Sequence, residues 1–136
     1  MIKLTVLGKP LAKGRPKFSS KGKFVRVYTP KKTTDYETLI KFSAQEVAPK
    51  ELLEGPVTME IEAHLPIPKA MSKKKRALIK SHDLRPITRP DIDNYAKIVL
   101  DALNDIIYKD DNQVVSLNIR KFYSEKPRME IYIKEL

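Results

Sequence analysis

The chain has 136 residues and a net charge of +10, from 27 Lys and Arg against 17 Asp and Glu; this length suits one domain with a real core, and residues 1–136 are read as a single unit. With no cysteine and two histidines 18 residues apart, disulfides, thiolate catalysis and sulfur-ligated zinc are excluded, so any bound metal is expected to be held mainly by oxygen. No apolar run approaches the roughly 18 residues of a membrane span and no signal-peptide pattern opens the chain, so a soluble, cytoplasmic protein with no membrane partner is expected.

Ile2, Leu4 and Val6 alternate with Lys3, Thr5 and Leu7, the period of a strand with one buried face. From residue 8 to about residue 32 the pattern gives way to a basic loop holding three of the four glycines. Ser19 to Gly22 suits a hairpin turn with residues 24–28 as its returning strand. Lys13, Arg15 and Lys17 are candidate phosphate contacts there, while Phe18, Phe24 and Tyr28 either stack on unpaired bases or anchor the loop. Residues 1–50 carry a net charge of +9, residues 51–90 of +3 and residues 91–136 of −2. Such asymmetry suits a polyanionic partner, because a cationic surface gains affinity by releasing counterions from phosphates.

Thr34 and Glu37 have the spacing of a capping box, and Tyr36, Leu39, Ile40, Ser43, Ala44 and Val47 follow at helical period until Pro49. Val57, Met59, Ile61, Ala63 and Leu65 then alternate with Thr58, Glu60, Glu62 and His64, a half-buried strand with His64 expected on its solvated side. Ser72 caps a predicted short helix carrying Lys73, Lys74, Lys75 and Arg76, further candidates for a phosphate backbone.

Arg89 to Gln113 is the catalytic candidate. It collects six of the chain's 17 carboxylates: Asp91, Asp93, Asp101, Asp105, Asp110 and Asp111. Arg89-Pro90 delivers the chain extended, and Asp93 is read as the N-cap of a helix from Asn94 to about Tyr108. Its apolar residues cover an arc of roughly 200°, wide enough to face both a sheet and a partner subunit. The narrow polar face carries Asp93, Asn94, Lys97, Asp101, Asn104 and Asp105. A strand with Val115, Leu117 and Ile119 facing one way follows, and then one with Met129, Ile131 and Ile133 inward. As structural residues the acids are caps, turn formers and a Lys97–Asp101 pair worth a few tenths of a kcal/mol. That pair runs in the weaker order, however, and Asp101 and Asp105 oppose the helix dipole. The alternative is that they bind one or two Mg²⁺ ions, which take oxygen ligands, water and substrate phosphate.

The run Arg89-Pro90-Asp91-Ile92-Asp93-Asn94-Tyr95-Ala96-Lys97, then Asp101-Ala-Leu, then Tyr108-Lys-Asp110-Asp111-Asn-Gln113-Val resembles the signature of the RusA family of Holliday junction resolvases. Pro10 to Pro16, Tyr28-Thr-Pro30, Tyr36-Glu37 and Ser72 to Arg76 resemble its other segments. The resemblance implies a small α+β fold, a mixed sheet of about four strands packed with two to three helices, acting as a homodimer. It implies a Mg²⁺-dependent endonuclease, with Mn²⁺ as substitute, that resolves four-way junction DNA by paired symmetric nicks in recombination and repair. Asp91, Asp93 and Asp111 then match metal ligands and Lys97 the essential lysine. Asp101 and Asp110 match supporting acids, and Lys13, Arg15, Lys17, Lys73, Lys74, Lys75, Arg76 and Arg89 are DNA contacts. The competing readings are a non-catalytic basic nucleic-acid-binding protein and a metal nuclease for other branched or single-stranded DNA.

Overall fold

Period-two burial builds the sheet. In the computed structural model, which describes residues 1–13 and 31–136 in full and 17–19 and 26–28 in backbone alone, β1 (Ile2–Leu7) buries Leu4 and Val6. β4 (Val57–Pro66) buries Val57, Met59, Ile61, Ala63 and Leu65. β6 (Arg128–Glu135) buries Met129, Ile131 and Ile133. With β5 (Val114–Ser124) they form one mixed sheet in the order β1-β6-β4-β5. β6 runs antiparallel to both neighbours, opposing Ile131 to Leu4 and to Ile61. β4 and β5 are parallel, with Ile61 opposite Ile119. A parallel pair needs a long crossover, and this one contains α2 (Lys73–Lys80), α3 (Ile92–Leu103) and most of the acids. Two short strands, β2 (Lys17–Ser19) and β3 (Arg26–Tyr28), pair antiparallel, Phe18 opposite Val27 and Ser19 opposite Arg26; the rest of the expected turn from Ser19 to Gly22 lies outside the described residues. The expected α+β architecture is observed.

α1 (Lys31–Gln45) and α3 pack with the inward side chains of the sheet in one apolar core. Thr33, Tyr36, Ile40 and Ala44 form the buried stripe of α1. Because that stripe begins at Thr33, the helix starts at Lys31, and Thr34 lies inside it, its carbonyl accepting from the Thr38 hydroxyl at 2.9 Å. The expected capping box at Thr34 and Glu37 is therefore not the helix start. The apolar arc of α3 is also taken up within the chain, since Tyr95, Ile98, Val99, Ala102 and Leu103 are all buried in this core.

The other sheet face is polar but not bare. His64, expected to be solvated, is buried there, its ring stacked on Phe122 with centroids 5.1 Å apart. Its Nε2 lies 3.1 Å from Glu62 Oε1 and 3.7 Å from Glu130 Oε2. Arg120 reaches Glu62 at 3.3 Å and Arg128 reaches Glu130 at 3.4 Å. Burial, against the pull of Glu62, leaves the imidazole below its ordinary pKa.

Candidate active site

The cap of α3 differs from the expected one. Asp91, not Asp93, occupies the N-cap position, with φ −67° and ψ 151°, and its side chain makes no capping hydrogen bond. Only its carbonyl is used, accepting from Asn94 N at 3.1 Å. An aspartate in the best capping position that leaves its carboxylate exposed is available for something else. Asp93 follows in the first turn, where the helix dipole favours an anion. Lys97 and Asp101 come one and two turns later, so Asp93, Lys97 and Asp101 share one face. Among the described residues, nothing ties up the side chains of Asp91, Asp93 or Lys97.

A lysine on the edge strand fixes the approach to Asp91. Lys121 Nζ donates to Thr88 O at 2.7 Å and to Pro90 O at 3.0 Å, on either side of a cis Arg89–Pro90 peptide. Arg85 Nη1 in turn donates to Lys121 O at 3.2 Å, with its guanidinium 4.1 Å from the centre of the Phe122 ring. Lys121 is absent from the sequence expectations, although the alternation that turns Leu117 and Ile119 inward turns Lys121 the same way.

The far end of α3 is also reshaped. The helix stops at Leu103, short of the expected Tyr108, because Asp105 adopts a left-handed φ of 65°. The chain then doubles back, Asp105 N donating to Tyr108 O at 2.8 Å. This reversal buries Ile107 and Tyr108 and lets the Tyr108 hydroxyl reach Leu100 O at 2.9 Å, which a straight helix would not. A one-turn 3₁₀ helix, Asp111–Gln113, follows. Asp110 caps it, Oδ1 accepting from Asn112 N at 3.0 Å, so Asp110 is engaged structurally. Gln113 holds the turn from both ends. Its Oε1 accepts from Lys109 N and Asp110 N, both at 3.0 Å, and its Nε2 donates to Leu53 O at 2.8 Å and Gly55 O at 3.1 Å.

This turn brings Asp111 beside Asp110 and Asp101. Desolvation first, then the hydrogen bond and charge of Asp110 and the charge of Asp101, push the Asp111 carboxyl above its ordinary value, while a hydrogen bond from Asn104 pulls the other way. The same three carboxylates add to burial in raising the Tyr108 phenol beneath them. Lys13 supplies one local cation: its Nζ is 2.7 Å from Glu37 Oε1 and 3.4 Å from Asp101 Oδ2. Burial lowers the ammonium pKa, but the two carboxylates outweigh it and hold it raised. Lys13, expected as a phosphate contact, thus ties the basic loop to α1 and α3, an anchorage completed by Lys13 N donating to Asn94 O at 3.1 Å.

The result is an open arrangement. Asp91, Arg89 and Asn94 line a groove with Lys13 and Lys32, whereas Asp101, Asp110 and Asp111 gather at the other end of α3. The six acids do not close into a cage. Among the described residues, the group of three ligand-type side chains within 4.8 Å of one another is Glu62, His64 and Glu130, on the opposite sheet face. That group has the geometry to hold an ion, but Arg120 and Arg128 already offset its carboxylates. The open set on α3 fits Mg²⁺ better, because this ion keeps several waters and uses one or two carboxylates with substrate phosphate. Mutual repulsion at Asp111, which a divalent cation would relieve, points the same way.

Lys73, Lys74, Lys75 and Arg76 are exposed on α2, whose first turn is capped as expected by Ser72, Oγ accepting from Lys75 N at 3.3 Å. Arg15 lies outside the described residues, and Lys17 is described in its backbone alone. No helix among the described residues is long and apolar enough to cross a membrane.

Two comparisons with known proteins bear on this arrangement. The family model described as Endodeoxyribonuclease RusA matches residues 8–134. A Bacillus subtilis (strain 168) protein described as "Uncharacterized protein YqaN" is 44% identical over 137 residues, spanning 99% of this chain and 96% of that protein.

Proposed function

The chain belongs to the endodeoxyribonuclease RusA family, and from that premise we propose that it is a Mg²⁺-dependent nuclease that resolves four-way DNA junctions by paired nicks, acting as a homodimer in recombination and repair. The observation that carries the reading is an N-cap aspartate, Asp91, that withholds its carboxylate from the helix and shares the start of α3 with Asp93 and Lys97. Asp91 and Asp93 at the start of α3 and Asp111 beyond its end would be ligands to one or two ions that substrate phosphate and water help to bridge, Mn²⁺ serving as substitute. When bound, the metal supplies Lewis-acid polarisation of the scissile phosphate and relief of the charge that develops there. Lys97 places a fixed positive charge one turn inside the helix, where it stabilises a non-bridging oxygen as water replaces one ester oxygen on phosphorus. Asp101 holds Lys13 beside α3, Nζ to Oδ2 at 3.4 Å. Arg89 and Lys32 line the groove where a phosphodiester backbone would lie, and the exposed Lys73, Lys74, Lys75 and Arg76 of α2 would offer phosphate contacts of their own.

A second copy would sit at the edge of the sheet. Among the described residues β5 pairs on one side only, and on it Val115 is 61% and Leu117 38% exposed. Two-fold pairing of such an edge would cover both and set two acid sites symmetrically against the two equivalent strands of a junction.

The test is incubation of the purified chain with a synthetic four-way junction, with Mg²⁺ or with EDTA. Paired nicks that need Mg²⁺ are expected. Asp93→Asn should abolish cutting while retaining junction binding, and Lys97→Ala should slow it by about two to three orders of magnitude. Binding without cutting by the wild type would leave a non-catalytic binding protein, and equal cutting of flaps or single strands a nuclease of other specificity.

A further inference from the structure

We propose that the groove between α2 and the β5–β6 turn is a second nucleic-acid site that takes an unpaired DNA strand, an inference that rests on the nuclease reading above. The groove has a volume of about 660 Å³ and is distinct from the one that contains Asp91. Its floor is apolar, formed by the buried Ile79 and the half-buried ring of Tyr123. Its rim is cationic: Arg76 and Lys80 from α2, and Lys126 and Arg128 from the turn and β6, against the single carboxylate of Glu125 in the lining.

The rim is partly preset. Arg76 Nε donates to Met71 O at 3.2 Å, and Arg128 Nη1 donates to Lys126 O at 2.9 Å and Ser124 Oγ at 3.1 Å. Arg128 also reaches Glu130, which leaves it less charge to give. The ammonium groups of Lys80 and Lys126 have no partner among the described residues. A duplex keeps its bases inside and offers such a groove phosphates alone. An apolar floor beneath a cationic rim matches a strand whose bases are free, with a base laid on Tyr123 and Ile79 and the flanking phosphates on the lysines. An acidic peptide would use the rim and leave the floor uncovered. The groove also borders the segment that carries the acids: Tyr123 stands two residues beyond Lys121 on the same strand, about 7 Å along it.

The test reads binding by fluorescence anisotropy, in EDTA, with a short labelled oligothymidine and a duplex of the same length. Lys80→Gln/Lys126→Gln should weaken oligothymidine binding about tenfold and lower the slope of log affinity against log salt by about 1.4, the share of two phosphate contacts on a single strand. Lys3→Gln/Lys134→Gln, an equal change of charge away from the groove, should leave both nearly unchanged. Wild-type affinity in the groove double variant, an equal loss in the control pair, an equal loss for the duplex, or equal competition by polyglutamate would each overturn the proposal. The nuclease reading fails separately, if the wild-type chain leaves a junction uncut in Mg²⁺.

Discussion

Asp111 is a carboxylate whose cost to the fold is matched by a place in the proposed chemistry. Its carboxyl is raised because ionisation beside Asp110 and Asp101, partly out of water, is unfavourable in the folded chain. A carboxyl raised on folding removes stability as pH climbs through its titration and returns it as pH falls. Asp111→Asn is therefore expected to raise the melting temperature in EDTA at neutral pH by about 1 to 3 °C. Mg²⁺ should stabilise the wild type and no longer stabilise this variant, as scanning calorimetry with and without the ion would read. In the ion-free chain the same repulsion lets protons compete with Mg²⁺ for Asp111 above the ordinary aspartate range, so Mg²⁺ affinity should weaken as pH falls toward that range. A variant that melts lower than wild type in EDTA would show that Asp111 is held by attraction rather than repulsion.

At the scale of elements, two connections place the acids. Lys121 fixes the carbonyls on either side of Arg89–Pro90, and its loss frees the segment that aims Asp91. Lys121→Ala should lower the cleavage rate about tenfold to a hundredfold, with weaker Mg²⁺ affinity and little change in junction affinity; Lys121→Arg, which keeps a long cation, should recover part of the loss. Equal loss of junction affinity would make Lys121 a DNA contact instead. Gln113→Ala strips two half-buried carbonyls, those of Leu53 and Gly55, of their side-chain donor, and is expected to cost about 1 to 2 kcal/mol of stability by urea titration. Most of this framework was legible from period: the alternations of β1, β4 and β6 stand where they were expected. What was not legible came from tertiary demands. The buried stripe of α1 pulled its start back to Lys31, the left-handed turn at Asp105 cut α3 short, and Phe122 covered His64. The acids themselves were readable as a group, but their division between the two ends of α3 depends on the turn that Gln113 pins.

For the whole molecule, the symmetry of a four-way junction makes a clear demand on a chain with one set of acids. Mixed dimers of wild-type and Asp93→Asn subunits should nick one strand of a junction in a plasmid and fail to make the paired cuts within one binding event. Sedimentation that finds a fully active monomer, or mixed dimers as fast as wild type on both strands, would defeat the dimer. The sheet order has its own consequence. β6 lies between β1 and β4, so among the described residues β1 has no other strand partner, and Ile2 meets Ile133 across nearly the whole length of the chain. The parallel pair β4 and β5, by contrast, closes over the crossover that contains the acids. Contacts that span long loops form slowly, because closure entropy precedes any reward. The folding rate should therefore be governed by the arrival of β6, and a chain deprived of residues 128–136 would set β1 adrift and bare an edge of β4, leaving a core that associates with other copies before it can cut anything.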